Sequence, residues 1–393
     1  MSRIEELIKE FCPDGVEYKK LVDTVTIERG KRVVREQLSP NGKYPVYQNS
    51  LTPLGFHTEY NNIANTTFII VAGAAGEIGY SDVAFWAADD CFTIVCPPSV
   101  INRYIYYALL RAQPQLLSKV RKASIPRLSR IAIENLIIPV PPMPVQREIV
   151  RVLDNFTELT AELTAELTAR KKQYEFYRNE LLSFTAKSEM VELGDVCHFV
   201  RGPFGGALKK EIFQPNGYAV YEQQNAIYQN LRFRYYIDEE KFNELRRFAV
   251  QPGDVIVSCS GTIGKTFVIP ENAPEGIINQ ALLKLTPNSE KINVFYLQFF
   301  FENTISKIMN KVARGGAIKN VPSVSELKAI KLYLPPVEIQ RRIVNVLDNF
   351  DAICSDLNIG LPAEIEARKK QYEYYRDMLL TFAAADDIIL TDR

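Results

Sequence analysis

A nine-residue segment occurs twice in this chain of 393 residues, about half the chain length apart. RKKQYEFYR spans residues 170–178 and RKKQYEYYR spans residues 368–376, and the copies differ only by Phe176 against Tyr374. The longer segments PPMPVQREIVRVLDNF, from Pro141, and PPVEIQRRIVNVLDNF, from Pro335, precede them. The duplication predicts two halves of one plan, roughly 16–189 and 190–393, rather than a short-period solenoid.

The repeated segments show the apolar spacing of a coiled coil. From Ile149 to Phe184, residues at alternating steps of four and three are apolar except Thr160 and Arg170, and the second copy follows this pattern from Ile343 to Leu357. The second copy is then interrupted at LNIGLP, where Gly360 suits a helix end and Pro362 the first turn of a new helix. We expect the two copies to pair antiparallel within the chain, and ~36 helical residues would make a rod roughly 50 Å long.

The remainder of each half has the pattern of an α/β domain. Short strands are predicted at TFIIVAG, CFTIVCP and ENLIIPVP in the first half and at YAVYEQQ, DVIVSCSG and KTFVIP in the second. An internal helix is predicted in each half, at INRYIYYALLRAQPQLLSKV and INVFYLQFFFENTISKIMNKV. The predicted fold class is α+β, with tandem α/β domains at 1–140 and 189–334 and helical spacers at 141–188 and 335–393, related by a pseudo-two-fold internal repeat.

Composition excludes several functional classes. Because 47 Lys and Arg balance 47 Asp and Glu, nucleic-acid binding would require local basic patches. With only His57 and His198 and no CxxC motif, the sequence predicts no metal site and no histidine-based triad. The charged N-terminal segment lacks an apolar signal core and no apolar run is long enough to span a membrane, so we expect a cytoplasmic protein.

One glycine-rich segment invites a nucleotide-binding interpretation and does not fit it. CSGTIGKTF contains Gly-Lys-Thr, but the first glycine of a phosphate-binding loop would fall at Cys259. The corresponding turn of the first half keeps both glycines, Gly76 and Gly79, and has Tyr80 where the second half has Lys265. The shared feature is therefore a glycine turn between two strands. No catalytic residue set is predicted elsewhere.

Polar and basic residues in the loops of the two α/β domains are the candidate nucleic-acid contacts. Lys and Arg can bind phosphates, while Gln and Asn can form paired hydrogen bonds with adenine and Arg with guanine. For any one residue the alternative is an ordinary solvated loop side chain, but KVRKASIPRLSR and KVARGGAIKNVPS occupy matching places in the two halves. The candidates are Lys31, Arg32, Arg35, Gln48, Asn49, Ser50, Arg121, Lys122, Arg127, Arg201, Lys209, Gln223, Gln224, Asn225, Lys265, Arg314, Lys319 and Asn320.

A second set of candidates lies on the repeated helices. Phe176 and Tyr374 lie off the coiled-coil seam, where a large apolar group would be exposed without purpose unless a partner covered it. A plain solvated helix face is the alternative. The candidate partner-binding residues are Lys171, Lys172, Phe176, Arg178, Lys369, Lys370, Tyr374 and Arg376.

The two PP helices, the paired RKKQYxxYR segments and the tandem TAEL units of residues 160–167 resemble specificity subunits of type I restriction-modification systems. The resemblance covers essentially the whole chain and includes the subclass with TAEL spacer repeats. It implies two target-recognition domains that each read one half of a bipartite double-stranded DNA sequence, joined by long antiparallel coiled-coil helices. These helices would serve as a ruler and as the docking surface for two modification (methyltransferase) subunits.

The resemblance also implies that catalysis resides in other chains. Restriction/translocase subunits would be further partners, and S-adenosylmethionine, ATP and Mg would be bound by partner subunits and none by this chain. Two other functions stay open at this point, a stand-alone DNA methyltransferase and a coiled-coil scaffold or adaptor that does not bind DNA. The methyltransferase would need a pocket for a methyl donor, whose sequence patterns are not found.

Overall fold

The computed structural model describes residues 3–183, 188–313 and 321–383. The chain divides into two compact units. The first consists of Met1–Ala165 with Glu364–Arg393, and the second of Glu166–Ala363. Each unit contains one α/β domain and two helical segments that belong to different copies of the repeat.

The first unit is built from short strands and two longer helices. The elements in chain order are α1 (Arg3–Phe11), β1 (Tyr18–Lys20), α2 (Leu21–Thr24), β2 (Thr26–Arg29), β3 (Tyr44–Tyr47), β4 (Gly55–His57), β5 (Thr66–Ile70), β6 (Ile78–Ser81), β7 (Trp86–Ala87), β8 (Cys91–Val95), α3 (Asn102–Ser118), α4 (Arg130–Glu134), β9 (Ile137–Pro139) and α5 (Met143–Leu182), which ends in the second unit.

The second unit repeats much of this order. Its elements are β10 (Glu189–Glu192), α6 (Leu193–Val196), β11 (Cys197–Arg201), β12 (Tyr218–Tyr221), α7 (Gln223–Tyr228), β13 (Tyr236–Ile237), α8 (Glu239–Glu244), β14 (Val255–Ser258), β15 (Thr266–Val268), β16 (Gly276–Ile278), β17 (Leu282–Pro287), α9 (Val294–Ala313), α10 (Val324–Lys328), β18 (Lys331–Leu334), α11 (Val337–Ser355) and α12 (Leu361–Leu379), which lies mostly in the first unit.

The two α/β domains have the same sheet topology. A four-stranded antiparallel sheet has the order β2-β8-β5-β6 in the first and β11-β17-β14-β15 in the second. A three-stranded mixed sheet has the order β4-β3-β7 or β13-β12-β16, and β1-β9 or β10-β18 forms a separate pair. This correspondence confirms the α+β fold class with an internal repeat. The six predicted strand segments and both internal helices are confirmed, and the remaining strands were missed.

Each domain packs its internal helix and two repeat helices into one core. In the first unit, Val145, Ile149 and Leu153 of α5 are buried with Tyr104 of α3 and Leu379 of α12. Leu182, Ile343 and Leu347 occupy the corresponding core of the second unit. Because truncating a buried leucine to alanine costs about 2–5 kcal/mol, these contacts fix the helices on their domains.

The repeat helices pair antiparallel within each unit. The rings of Phe156 in α5 and Tyr375 in α12 stack with centroids 5.2 Å apart in the first unit. Tyr177 of α5 contacts Phe350 of α11, with centroids 5.8 Å apart, in the second. These contacts confirm the predicted pairing of the two copies.

The second copy breaks where LNIGLP predicted it to break. Asp356 Oδ1 accepts hydrogen bonds from the backbone N–H groups of Asn358 and Ile359, at 2.6 and 3.2 Å, in the turn between α11 and α12. A Cβ atom added to Gly360 would lie 2.5 Å from the backbone oxygen of Ala352, so only glycine fits there. The first copy has no such turn, and α5 continues for 40 residues.

Candidate nucleic-acid interface

The strand directions bring several loops of the first domain to one edge. β3 and β7 are parallel and end together, and β2 and β5 end beside the start of β8. The thiol of Cys91, the first residue of β8, donates to the backbone oxygens of Tyr47 and Gln48, at 3.3 and 3.1 Å. Burial raises the pKa of Cys91 to about 12, so this thiol stays protonated and links the two sheets.

Backbone hydrogen bonds join the loops at this edge. Lys31 N–H donates to Ala87 O at 2.9 Å, and Ala74 N–H donates to Asn49 O at 2.9 Å. Gly73 N–H donates to Pro126 O at 3.1 Å. We call this edge the first loop end, comprising residues 30–35, 47–50, 71–77 and 119–128. Loops from distant parts of the sequence thus form one surface.

The segment after α3 forms a closed finger at the first loop end. Arg121 N–H donates to Arg127 O at 2.8 Å, and Arg127 N–H donates back to Arg121 O at 3.2 Å. The finger is attached to the domain by buried Leu128, whose N–H donates to Val71 O at 2.9 Å. The side chains of Arg121, Lys122 and Arg127 are exposed. This closure holds three cations on one short loop.

The first loop end contains all the candidates predicted in this domain. Gln48 and Ser50 are half-buried, and the Ser50 hydroxyl donates to Thr52 O at 3.0 Å. Among the described residues, none of the six cations forms an ion pair with a carboxylate. The exposed candidates are Lys31, Arg32, Arg35, Asn49, Arg121, Lys122 and Arg127. The surface therefore offers unpaired positive charge beside amide groups.

The second domain forms the corresponding edge from the corresponding loops. Gly202 N–H donates to Leu282 O at 3.0 Å, and Asn279 N–H donates to Tyr221 O at 2.9 Å. Val321 N–H donates to Cys259 O at 3.2 Å, which matches the bond of Leu128 in the first domain. We call this edge the second loop end, comprising residues 201–210, 221–225, 258–265 and 279–281.

The glycine turns lie at both loop ends. Gly73 and Gly76 connect β5 to β6 with φ values of 82° and 92°, and Gly261 and Gly264 connect β14 to β15 with φ values of 65° and 78°. Backbones with such positive φ favour glycine. The structure confirms that CSGTIGKTF is a turn between two strands, but the predicted match to Gly76 and Gly79 was wrong. Gly264 corresponds to Gly76, because their N–H groups donate to Ser258 O and Ile70 O at the ends of β14 and β5, and Gly79 lies inside β6.

The amide candidates of the second domain have different environments. Gln223 is half-buried and its Nε2 donates to the Ser260 hydroxyl at 2.7 Å. Asn225 is fully buried: its Nδ2 donates to Asn230 O and Arg232 O at 2.9 and 3.0 Å, and its Oδ1 accepts from Glu222 N–H at 2.8 Å. Asn225 therefore holds the turn after β12, and the structure does not bring it to the surface.

Charge at the second loop end is partly neutralised. Arg234 forms a bidentate ion pair with Glu222, at 2.9 and 2.7 Å, and Gln224 Nε2 donates to Glu222 Oε2 at 3.2 Å. Lys209 and Lys265 are exposed, while Arg201 is half-buried. The candidates Arg314, Lys319 and Asn320 lie outside the described residues. The described part of the second loop end thus differs from the first in having an acidic residue, Glu222, beside its glutamines.

The helical candidates divide into exposed and packed residues. Phe176 and Tyr374 are 59% and 65% exposed. The guanidinium groups of Arg178 and Arg376 lie over the rings of Tyr174 and Tyr372, at 5.3 and 5.8 Å, so these two half-buried arginines help to hold the helices. The exposed lysines are Lys171, Lys172, Lys369 and Lys370, the last 3.6 Å from Glu366.

Sequence reasoning missed two buried glutamines that position the domains. Gln146 Oε1 accepts from Ile101 N–H at 2.9 Å, and its Nε2 donates to Pro141 O and Ser99 O at 2.8 and 3.2 Å. Gln340 makes the matching bonds, with Asn293 N–H, Pro335 O and Lys291 O at 2.7, 2.8 and 3.0 Å. The signal was present, because both copies contain PPxxxQ.

The described parts of the chain also bear on metal binding and membrane crossing. No group of three or more His, Cys, Asp or Glu side chains could hold a metal ion there. Among the helices of the same residues, none is long and apolar enough to cross a membrane.

Two α/β domains of one fold, each presenting basic and amide side chains at one loop end, define a two-domain nucleic-acid recognition protein. A family model, described as the type I restriction modification DNA specificity domain, matches residues 13–170 and 186–367. The chain belongs to the family of type I restriction-modification specificity subunits.

Relatives and solved structures agree with this assignment. A putative type I restriction enzyme specificity subunit of Haemophilus influenzae is 31% identical over 390 residues, covering 94% of this chain and 96% of the relative. A type I restriction enzyme specificity subunit of Escherichia coli is 33% identical over 297 residues, covering 73% and 72%. The type I S subunit of M. genitalium has a similar fold, with a TM-score of 0.59, 16% identity and coverage of 93% and 96%.

Family membership confirms the predicted role. The chain is the DNA-recognition subunit of a type I restriction-modification system, and recognition rather than catalysis is its function. The family thus favours this role over the adaptor and the stand-alone methyltransferase. In keeping with it, a structure concerned with the assembly of a type I restriction-modification system matches with a TM-score of 0.63, 14% identity and coverage of 94% and 98%.

Proposed function

We propose that each loop end binds one half of a bipartite double-stranded DNA target. The convergence of loops at the same edge of both domains is the observation that carries this proposal. Exposed cations there would bind phosphates and set the register, and amide groups would contact base edges. The proposed contacts of the first half-site are Lys31, Arg32, Arg35, Gln48, Asn49, Ser50, Arg121, Lys122 and Arg127.

The second loop end supplies fewer such contacts among the described residues. Arg201, Lys209 and Lys265 would bind phosphates, and Gln223 and Gln224 would face the bases. Asn225 would act indirectly, by holding the start of α7, whose first two residues are these glutamines. Because the loops differ while the framework is repeated, the two half-sites should differ in sequence.

The exposed faces of the repeat helices would bind two modification subunits. Phe176 and Tyr374 are the large apolar groups of this surface, and exposed lysines flank both. Restriction/translocase subunits would join the same complex. S-adenosylmethionine, ATP and Mg would act in those partner chains. A DNA-binding protein with six free cysteines suits a reducing compartment, which supports a cytoplasmic location.

The DNA interface can be tested through the finger. In the complex with modification subunits, Arg121→Ala with Arg127→Ala should weaken DNA binding at least about tenfold. It should also lower the slope of log affinity against log salt by up to about 2, because each lost phosphate contact removes about one unit. Lys20→Ala, an exposed cation that precedes β2 at the far end of the sheet, is the matched control. Unchanged affinity and salt dependence would exclude the finger from the interface.

The partner interface needs a separate test. Lys172→Glu and Lys370→Glu combined with Phe176→Ala and Tyr374→Ala should abolish co-purification with the modification subunit, because both charge and apolar area are lost. Ile63→Ala with Lys20→Glu changes an exposed apolar residue and an exposed cation that do not belong to these helices, and should leave co-purification intact. If the helix variant still co-purifies normally, the partner surface lies elsewhere.

A further inference from the structure

Phe204 is the most exposed large apolar residue described in this chain. Its side chain is 94% exposed, in the loop that follows β11. A phenylalanine that stays in water gains nothing from the hydrophobic effect, so a wholly exposed ring is a candidate for contact with a ligand.

The loop that carries Phe204 is anchored on both sides. Pro203 is buried, and Leu208 is part of the core beneath the three-stranded sheet. Between them, Ala207 N–H donates to Phe204 O at 2.9 Å and closes a tight turn. A Cβ atom added to Gly206 would have no neighbour within 4 Å. The backbone is therefore held in place while the ring projects from an open tip.

Close backbone contacts with other segments of the second loop end fix the position of this tip. Gly202, two residues before Phe204, is so close to Asn279 that an added Cβ would lie 1.9 Å from the Asn279 backbone oxygen. The Asn279 N–H in turn donates to Tyr221 O, two residues before α7, which begins with Gln223 and Gln224. Phe204 thus projects beside the segment that carries Gln223 and Gln224.

The charges next to the tip favour a polyanion. Lys209 and Lys210 follow the turn and are exposed, and neither forms an ion pair among the described residues. Glu211 is the one acidic residue of this loop. Half-buried Arg201 is the residue that immediately precedes the loop. Exposed cations in the same loop as an exposed ring match a ligand that offers phosphates and flat apolar surfaces together.

We propose that Phe204 stacks into the DNA at the half-site bound by the second loop end and partly unstacks one base step. DNA-binding proteins insert apolar side chains such as phenylalanine between base pairs, and stacking on an aromatic ring tolerates any base. Phe204 then sets specificity through the deformability of its base step, because some steps unstack more readily than others. This inference rests on the proposed function of the second loop end.

The first domain has no aromatic counterpart at this place. After the equivalent glycine, Gly30, the loop continues with Lys31, Arg32, buried Val33 and exposed Val34. The first half-site is accordingly bound by charge at this loop, and the second by stacking. Effects of changing Phe204 should therefore be confined to one half of the target.

The test uses the complex of this chain with its modification subunits and a duplex that carries its methylated target. 2-Aminopurine replaces each adenine of either strand of both half-sites in turn. Binding of the wild-type complex should raise the fluorescence at a step of the second half-site, and Phe204→Ala should remove that rise. Phe204→Ala should weaken binding about 10- to 100-fold, the range expected for loss of base–aromatic stacking, while Phe204→Trp retains it.

Phe295→Ala is the matched control. Phe295 is an exposed phenylalanine of the same domain at the start of α9, which follows the opposite end of β17. It should leave affinity and fluorescence unchanged. The inference is overturned if Phe204→Ala binds the target within about twofold of wild type, or if the same fluorescence rise persists in that variant.

Other outcomes separate the inference from the function on which it rests. If the wild-type complex shows no preference for a bipartite target, the proposed function fails. If Phe204→Ala abolishes co-purification with the modification subunit, Phe204 is covered by protein and the stacking role is rejected. If Phe204→Ala reduces binding to all duplexes equally, including those with a changed second half-site, Phe204 contributes no specificity.

Discussion

The two α/β domains share a framework and differ at their loop ends. The same three hydrogen bonds surround Gln146 in one and Gln340 in the other, and the tyrosine hydroxyls of Tyr104 and Tyr296 donate to equivalent backbone oxygens at 2.9 and 3.2 Å. At the loop end, however, Gln48 is replaced by Glu222, which is paired with Arg234. The loop ends thus differ although these framework bonds are shared.

This contrast explains how one duplicated fold can serve two half-sites. Strand register and buried hydrogen bonds fix where the loops begin and end, so the loops can change without loss of the fold. The loop after the first strand of the four-stranded sheet is basic in the first domain, with Lys31 and Arg32, and carries an exposed aromatic ring, Phe204, in the second. The two halves of the target would thus be bound by different physical means.

The largest expected effect comes from lengthening α5, the repeat helix that is continuous where the other copy is divided into α11 and α12. Inserting TAEL after Leu167 of α5 adds ~6 Å of helix at 1.5 Å per residue and turns it about 40° beyond a full turn. One base pair of DNA rises ~3.4 Å and turns by about 34–36°. We therefore expect methylation to move entirely to targets with the same half-sites and a spacer one base pair longer.

Methylated positions mapped across the host genome would test this ruler. The insertion keeps a leucine near the seam, so folding should survive, and circular dichroism would verify the helix content. Altered half-site bases, or an unchanged spacer, would disprove the ruler. A TAEL insertion after Leu357, in the turn between α11 and α12, is a useful comparison because that turn already interrupts the helix.

The buried glutamines test whether the two frameworks are energetically equivalent. Gln146→Leu and Gln340→Leu should each lower the free energy of unfolding of their own domain by about 3 kcal/mol, because each leaves a buried N–H and two carbonyl oxygens unpaired. Hydrogen exchange of each domain, followed by mass spectrometry, would measure the two losses separately. Exposed Gln115→Leu is the control. Losses that differ by more than about twofold would show that the domains do not share one framework.

Sequence predicted the parts of the fold that rest on repeated patterns. The duplicated helices, their break at Gly360 and the glycine turns all follow from spacing and residue type. Strands such as Trp86–Ala87 are too short to show alternation, and their partners come from distant segments. They were missed for this reason.

The candidate site was predictable as a set of loops but not as a surface. Loop composition selected residues near Lys31, Asn49 and Arg127, and only the sheet topology shows that they meet. Burial separated residues that look alike in sequence: Asn225 has the same polarity as Asn49 but is enclosed by its own turn. Phe204 was overlooked because the sequence alone does not tell an exposed phenylalanine from a core residue.

The smallest effect concerns an aspartate that both repeat helices contain in LDNF. Asp154 accepts from Arg103 Nε at 2.7 Å and from the Tyr107 hydroxyl at 2.5 Å. The second domain has Phe295 and Phe299 at the places of these donors, so Asp348 has no described partner there. Partial burial, reinforced by nearby Asp351, raises the pKa of Asp348. The charged aspartate should therefore stabilise the first domain, at Asp154, and slightly destabilise the second, at Asp348.

Asn substitutions would measure this difference. Asp154→Asn should destabilise the first domain by about 1–2 kcal/mol at neutral pH, because two hydrogen bonds to a charged group are weakened. Asp348→Asn should leave the second domain unchanged or slightly more stable, since it removes an unfavourable charge that solvent largely screens.

The raised pKa of Asp348 means that folding favours its protonated form. The protonated carboxyl therefore adds to the free energy of unfolding below the pKa of the unfolded chain, and this gain is lost as the pH rises through the folded-state pKa. The free energy of unfolding, measured near neutral pH and at about pH 4, should include this gain at the lower pH in the wild type and not in Asp348→Asn. Equal destabilisation by both substitutions would mean that Asp348 has a partner in solution, and the contrast between the two domains at this position would be lost.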